Sequence, residues 1–332
     1  MPIKPIEPHI SARGLSKTYR VVERGEGLAA SIKSLFHRRY QNVDAVCEIN
    51  FNIQRGEMVG FIGPNGAGKT TTLKMLSGLL HPSAGEARVA GYVPWERKTG
   101  FLKRISMVLG NKSQMLWDIP PMDTFRVLGE IYQVPRAAFQ QTLDELVELL
   151  DMSALLTKPV RNLSLGERMK CELVAGLLHQ PEVLFLDEPT LGLDVSMQNR
   201  LRSFFKAYNR TRGATIILTS HYMADVTALC PRVILIHRGR LLYDGELSGL
   251  AERLAPFKII RFALTNGPAA IALPESAHLL PSEDDHMACR TSREDAPAVT
   301  SYLLNTYSVA DLTVEDPPIE AVIDQVYQEG EV

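Results

Sequence analysis

Charge of one sign is what this sequence most plainly lacks. Lys and Arg number 36 against 38 Asp and Glu, a net of −2 over 332 residues, so no global field draws the chain to nucleic acid or to another polyanion. Long apolar runs are missing as well: none approaches the roughly 18 to 20 residues needed to span a bilayer. The opening residues Met1-Pro2-Ile3-Lys4-Pro5 contain no signal-peptide h-region. Any membrane service is therefore expected from the cytoplasmic side, peripherally. Cysteine is scarce, and Cys47, Cys171, Cys230 and Cys289 form no Cys-x-x-Cys pair. That speaks against a zinc site and a disulfide framework and predicts buried free thiols in a reducing compartment. What is present is an ordinary globular composition, 45% hydrophobic and 22% charged, with length for one large domain and a smaller appendage.

The chain is organised around Gly63-Pro64-Asn65-Gly66-Ala67-Gly68-Lys69-Thr70-Thr71. A short apolar run, Met58-Val59-Gly60-Phe61-Ile62, precedes it as a buried strand, and Leu73-Lys74-Met75-Leu76 follows with helical spacing. Successive N–H groups in such a glycine-rich turn cradle phosphate oxygens, and the helix N-terminus favours negative charge. Lys69 would reach the β- and γ-phosphates, and the Thr70 hydroxyl would sit on Mg²⁺.

Ahead of that turn, residues 10–19 read as a strand ending in Tyr19, an aromatic that can stack on a base. Residues 28–40 place Leu28, Ile32, Leu35 and Phe36 at helical spacing and end in a basic cluster. Two readings stand for this amphipathic helix: packing on the domain with its arginines at the C-terminal dipole, or contact with anionic lipid or substrate. Residues 43–53, 86–90 and 105–109 read as strands, and residues 121–150 as strongly helical, so a helical block is inserted into an α/β domain. Ser164 and Glu167 have the spacing of a capping box, and a capped helix N-terminus beside Gly166 is also an anion site.

Val183-Leu184-Phe185-Leu186 is an apolar run ending in Asp187-Glu188, a carboxylate pair where ligands bind at the C-terminal ends of parallel strands. Asp187 would hold Mg²⁺ through water and Glu188 would act as general base on an attacking water. The strand at 215–220 ends at His221, placed to hydrogen-bond a γ-phosphate or to serve structurally. Residues 233–245 read as a hairpin closing the domain. Beyond about residue 250 come a strand at 258–264, a proline- and acid-rich stretch at 273–285, and a strand at 287–291. A helix at 296–304 after a capping Asp295, a strand at 309–314 and a last helix marked by Ile319, Val322, Ile323 and Val326 complete a small α+β appendage.

These pieces, in this order from Tyr19 to Gly245, resemble the nucleotide-binding subunit of ATP-binding cassette transporters. Residues 63–71 are similar to the Walker A loop, 163–167 to the signature loop, and 183–188 to Walker B with its catalytic carboxylate. Residues 191–194, ending in Asp194, resemble the D-loop, His221 the switch histidine and Tyr19 the adenine-stacking aromatic. The resemblance implies ATP and Mg²⁺ as ligands and two cassettes, as a homodimer or heterodimer, meeting head to tail. Each ATP then lies between the Walker A loop of one and the signature of the other, which gives Ser164 and Gly166, with Glu167 beside them, a role at the γ-phosphate in trans. Three positions depart from the family pattern. The signature reads Leu-Ser-Leu-Gly-Glu rather than Leu-Ser-Gly-Gly-Gln, the D-loop has Gly192-Leu193 where Ala-Leu is usual, and Asn111 stands where a metal-contacting glutamine is expected. Asn111 carries the same amide on a shorter stem, and Gln114 lies just beyond.

The implied fold is an α/β P-loop cassette with a mixed core sheet over residues 1–248, a helical subdomain at about 112–176, and a small accessory α+β domain over 249–332. Length, basic helix and appendage are most similar to the single-cassette subunits of bacterial type-two exporters, which pair with a separate transmembrane permease at the membrane interface. The cargo is not legible. The competing reading is a soluble cassette ATPase remodelling ribosomes or nucleic acid, but such relatives carry two cassettes or a long coiled-coil insertion, and neither is present. A small-molecule P-loop kinase is disfavoured by the signature and D-loop.

Overall fold

The computed structural model describes residues 7–22, 40–110, 113–220, 222–254, 257–265, 271–280, 287–318 and 321–323. The chain divides into two compact units, Met1–Asp244 and Gly245–Val332.

The first unit contains two sheets. Strands β1 (Ile10–Val22), β2 (Tyr40–Ile53) and, after β3 (Met58–Ile62) and helix α1 (Lys69–Leu76), β4 (Ala84–Val89) form an antiparallel sheet in the order β2-β1-β4. A short helix α2 (Thr99–Leu102) leads into β5 (Ile105–Leu109), then come helices α3 (Pro121–Ile131), α4 (Arg136–Leu149) and α5 (Leu165–Leu177). The rest is β6 (Val183–Asp187), α6 (Val195–Arg212), β7 (Thr215–Thr219), α7 (Met223–Leu229), β8 (Arg232–His237) and β9 (Arg240–Glu246). The second sheet runs β5-β6-β7-β3-β8-β9. Its first five strands are parallel, whereas β9 returns from β8 through Arg238-Gly239, a connection so short that only an antiparallel pair can follow. The sheet is thus mixed, as the family resemblance implies.

Strands β3, β6 and β7 are buried at every position, which explains their unbroken apolar runs: a parallel strand covered on both faces has no solvent side to show. One core joins the two sheets, with Ile10, Leu15, Ile49 and Phe51 from the antiparallel sheet meeting Phe61, Leu73 and Phe185. The β8–β9 turn braces the glycine-rich loop, because Gly239 donates to Ala67 O at 2.9 Å and accepts from the Cys47 N–H at 2.8 Å.

The helical stretch expected over 121–150 is two helices. Pro135 disfavours helical backbone at Val134, and Gln133 turns the chain with φ 56°. Tyr40, placed by the sequence reading at the end of a basic helix, instead begins β2, where its ring lies 4.1 Å from the Arg20 guanidinium. Residues 28–39 of that expected helix lie outside the described residues.

The second unit begins with α8 (Leu247–Leu254), followed by β10 (Phe257–Leu264), β11 (Ala277–Leu280), β12 (Met287–Ser292), α9 (Ala296–Thr306) and β13 (Val309–Glu315). Its sheet, in the order β11-β12-β10-β13, packs Ile260, Phe262 and Cys289 against Val299 and Leu303 of α9. Strand β11 lies in the proline- and acid-rich stretch, where the sequence reading placed no strand; its pairing with β12 overrides a weak local signal. Asp295 precedes α9 but does not cap it with its side chain, which accepts instead from Ser292 Oγ at 2.7 Å. Of the last helix only residues 321–323 are described, helical and with Val322 packed near Phe257 and Ile259.

Candidate nucleotide site

The loop between β3 and α1 needs its glycines. A Cβ on Gly63 would meet Ile236 O at 2.3 Å, and one on Gly68 would meet Ala45 O at 2.5 Å. Gly68 is also the residue before α1, at φ 109°, a conformation open to glycine. Asn65 and Gly66 form the exposed crest, and Ala67 N–H closes the turn on Pro64 O at 3.1 Å. Helix α1 has no side-chain cap and no acidic residue in its first turn, so the N–H groups of Lys69, Thr70 and Thr71 remain available to an anion. Lys69 is buried and donates from Nζ to Gly63 O at 2.5 Å and Pro64 O at 3.0 Å. Burial pulls its ammonium below the ordinary lysine range, while the carboxylates of Glu188 and Asp187 push it back up. A buried cation ringed by carbonyls and N–H groups suits a polyphosphate.

Asp187 ends β6 with Leu109 of β5 and Thr219 of β7 on either side in register. Thr70 Oγ1 donates to its two oxygens at 3.1 and 2.9 Å, and Thr219 Oγ1 donates to Oδ1 at 2.7 Å. Glu188 follows at φ 55°, a left-handed turn that costs a non-glycine residue roughly 1–2 kcal/mol. It is held there by its N–H, which donates to both O and Oγ1 of Thr219, each at 3.1 Å. On the other side, Gly110 donates to Asp187 O at 2.9 Å, and a Cβ on it would meet Glu188 O at 2.2 Å. Thr219 is thus a site residue that sequence reading missed, because a threonine inside an apolar strand carries no motif.

Ser164 and Glu167 form the expected capping box: Glu167 N–H donates to Ser164 Oγ at 3.2 Å, and Ser164 N–H donates to Glu167 Oε2 at 2.8 Å. That backbone bond from Ser164 holds the Glu167 carboxyl below the usual range. Gly166 lies against α6, where an added Cβ would meet Met197 Cε at 3.3 Å, and Gly192, at φ 73°, lies 3.0 Å by the same measure from Leu165. The Asp194 side chain caps α6, accepting from Met197 N–H at 2.9 Å. Ser164, Gly166 and Asp194 therefore share one surface, with Leu165, Leu191 and Val195 exposed upon it. No hydrogen bond joins that surface to Lys69 or Thr70 among the described residues. Tyr19 is partly exposed on β1, with Lys17 Nζ 5.5 Å from its ring centroid. Asn111 and His221 lie outside the described residues.

Two further carboxylates hold the site's walls and were not singled out from sequence. Asp225 of α7, fully buried, accepts from Thr190 Oγ1, from Ser220 Oγ at 2.9 Å and from Arg202 Nε at 2.6 Å, tying the turn after Glu188 to the end of β7. Glu172 of α5 accepts from the segment after β5. Both lie inside helices whose apolar pattern hides a lone acid.

Residues 46–191 match the ABC transporter family. The ABC transporter ATP-binding protein NatA of Bacillus subtilis is 34% identical over 219 residues, 65% of this chain and 89% of that protein. This chain belongs to the ATP-binding subunits of ABC transporters. It binds and hydrolyses ATP, and it is of the type-two exporter kind. The bacitracin transport ATP-binding protein BcrA of Bacillus licheniformis is 30% identical, with 72% of this chain and 76% of that protein covered. Among solved structures, an ATP-binding subunit of an ABC transporter superposes with a TM-score of 0.61 at 24% identity, covering 74% of this chain and 92% of the other. The cassette MJ0796, in a dimeric post-hydrolysis state with ADP and Pi, gives 0.59 at 19% identity, covering 72% and 98%. The fold of this ABC subunit is that of the cassette ATPases.

Proposed function

We propose that two cassettes, each ATP clasped between the Walker A loop of one and the signature helix of the other, drive export through a separate membrane permease. The observation that carries the chemistry is the Asp187 carboxylate, gripped by Thr70 and Thr219 hydroxyls, with Glu188 turned and fastened beside it. Thr70 and Asp187, whose oxygens lie 2.9 Å apart, would hold Mg²⁺, Thr70 by its hydroxyl and Asp187 through water. When bound there, Mg²⁺ neutralises phosphate charge. Lys69 holds the β- and γ-phosphates, leaving its loop carbonyls for them. Glu188 accepts a proton as a water oxygen attacks the γ-phosphorus, the bond to the β–γ bridging oxygen breaks, and ADP and phosphate leave. Ser164 and the N–H groups of Gly166 and Glu167 supply donors to the γ-phosphate of the facing copy. Asp194 caps the adjoining D-loop, Tyr19 stacks on adenine, and Asn111 and His221 complete the γ-phosphate environment.

Exposed apolar residues after β5, notably Leu116 and Trp117, support docking of the permease on the segment around 111–132. The basic stretch 28–39 supports a place near the anionic membrane face, where Lys33, Arg38 and Arg39 would each add on the order of 1 kcal/mol.

Glu188→Gln keeps the side chain's shape and loses the base. Turnover should fall about 10²- to 10⁴-fold with ATP binding retained, and the variant should accumulate as an ATP-bound dimer. Adding Ser164→Ala should prevent that dimer, whereas loss of a cap alone costs about 1 kcal/mol of stability and leaves chemistry intact. Wild-type turnover in Glu188→Gln would overturn the base assignment, and an undiminished dimer in the double variant would leave Ser164 a cap and nothing more.

A further inference from the structure

One buried carboxylate beside the site has no part in the chemistry above. Glu172 lies two turns into α5 and is only 5% exposed. It has no ion-pair partner among the described residues, and a buried carboxylate without a cation is costly unless hydrogen bonds replace its water. Here three donors do so: Ser113 Oγ, the Gln114 N–H at 3.1 Å to each oxygen, and the Met115 N–H at 3.3 Å. All three belong to the segment that leaves β5.

The other end of that segment touches the chemistry. Gly110 is bonded to Asp187 O and admits Glu188 O where a Cβ would stand. One turn beyond Glu172, Gly176 lets α5 lie flush on β5, since a Cβ there would meet Ser106 Oγ at 2.8 Å and Val108 Cγ2 at 3.1 Å. Toward the N-terminal end of α5 the contact opens into a cavity of about 220 Å³ lined by Leu109, Gly110, Leu165, Arg168 and Met169 beside the Ser113–Glu172 pair. The lower half of α5 is therefore held on β5 by packing; toward the upper half, whose N-cap is Ser164, the Glu172 carboxylate ties the helix to the segment after β5, beside the Lys170 Nζ bond to Asp151 O at 3.0 Å and the Arg168 contact with the Trp117 ring.

We propose that Glu172 is a positioning residue for ATP hydrolysis: it fastens the signature helix to the segment that leaves β5, whose first residue, Gly110, is bonded to Asp187 and packs on Glu188, so that each copy presents its signature to its partner in step with its own catalytic carboxylates. This rests on the reading that the signature acts across a dimer. A carboxylate suits the task because it only accepts. In Glu172→Gln the charge is removed and one oxygen becomes an NH₂ group, which set at Oε2 faces the Gln114 N–H, so the clamp is weakened at nearly constant volume.

The test compares the full-length protein with Glu172→Gln and Ser113→Ala, the second removing one donor and leaving the carboxylate. We measure kcat and KM, equilibrium binding of a fluorescent ATP analogue, melting temperature, and ATP-trapped dimer in the Glu188→Gln background. The expected result for Glu172→Gln is a fall in kcat of between about 10- and 100-fold, the scale of a small misplacement of reacting groups. Analogue affinity of the single cassette should be unchanged, and the trapped dimer should need more ATP. Ser113→Ala should show the same pattern more weakly, and it decides the matter should Glu172→Gln fail to fold. A lower melting temperature with unchanged kcat and unchanged dimer would overturn the proposal. Should Glu188→Gln alone form no dimer, the trans-signature reading falls separately, and Glu172 is judged on its kcat and binding split.

Discussion

Glu167 serves its own helix before it serves any nucleotide. Its carboxylate accepts the Ser164 N–H, and that bond keeps it ionised to lower pH than an ordinary glutamate. A carboxyl whose folded pKa is depressed contributes stability above its unfolded pKa and loses it as pH falls through the folded one. Glutamine at this position preserves the capping box without titrating. The melting-temperature difference between wild type and Glu167→Gln should therefore be largest near neutrality and shrink in acid. An offset constant with pH, followed by calorimetry from neutral to acid pH, would show that the charge contributes nothing. At this scale the motif residues were legible because phosphate and metal chemistry demand fixed residue types at fixed spacings. Thr219, Asp225 and Glu172 were not, since each acts through a partner far away in sequence, and one threonine or acid within an apolar element carries no signal of its own.

Elements with unbroken apolar runs were legible because β3, β6 and β7 are covered on both faces, and their sequences cannot read otherwise. Strand β11 was not, because its identity comes from its neighbour β12, and the split of the helical block at Pro135 lay in a turn whose effect a simple apolar count passes over. Residues 113–120, ahead of α3, are irregular, yet they set Trp117 about half exposed, at 49%, with the Arg168 guanidinium 5.1 Å from its ring centroid. Large aromatics that anchor an interface are typically worth about 2 kcal/mol or more. Trp117→Ala should leave hydrolysis by the isolated subunit near wild type and cut its recovery with the permease from detergent-solubilised membranes. Recovery at wild-type yield would move the docking site elsewhere.

For the whole molecule, the first unit has two sheets and the second one, each unit with its own buried cluster, which favours independent folding. A chain ending at residue 248 should fold, bind ATP and retain hydrolysis within about threefold, since no proposed nucleotide ligand lies beyond that point. An insoluble or inactive 1–248 fragment, compared with the full chain by calorimetry and phosphate release, would mean that the boundary is misplaced or that the second unit holds the first together. The cysteines distributed over both units have a practical consequence. Burial pushes the thiols of Cys171 and Cys230 up to about 12 and that of Cys289 to about 11, while Cys47 is only half-buried. Maleimides and spin labels react with thiolates, so the three buried thiols are nearly silent to them and Cys47 is the native position to remove. With Cys47→Ser, a thiol introduced as Val195→Cys, at a position 70% exposed beside the signature, becomes the one reporter that answers, and distances between labels on two copies can be followed through a turnover without rebuilding the core.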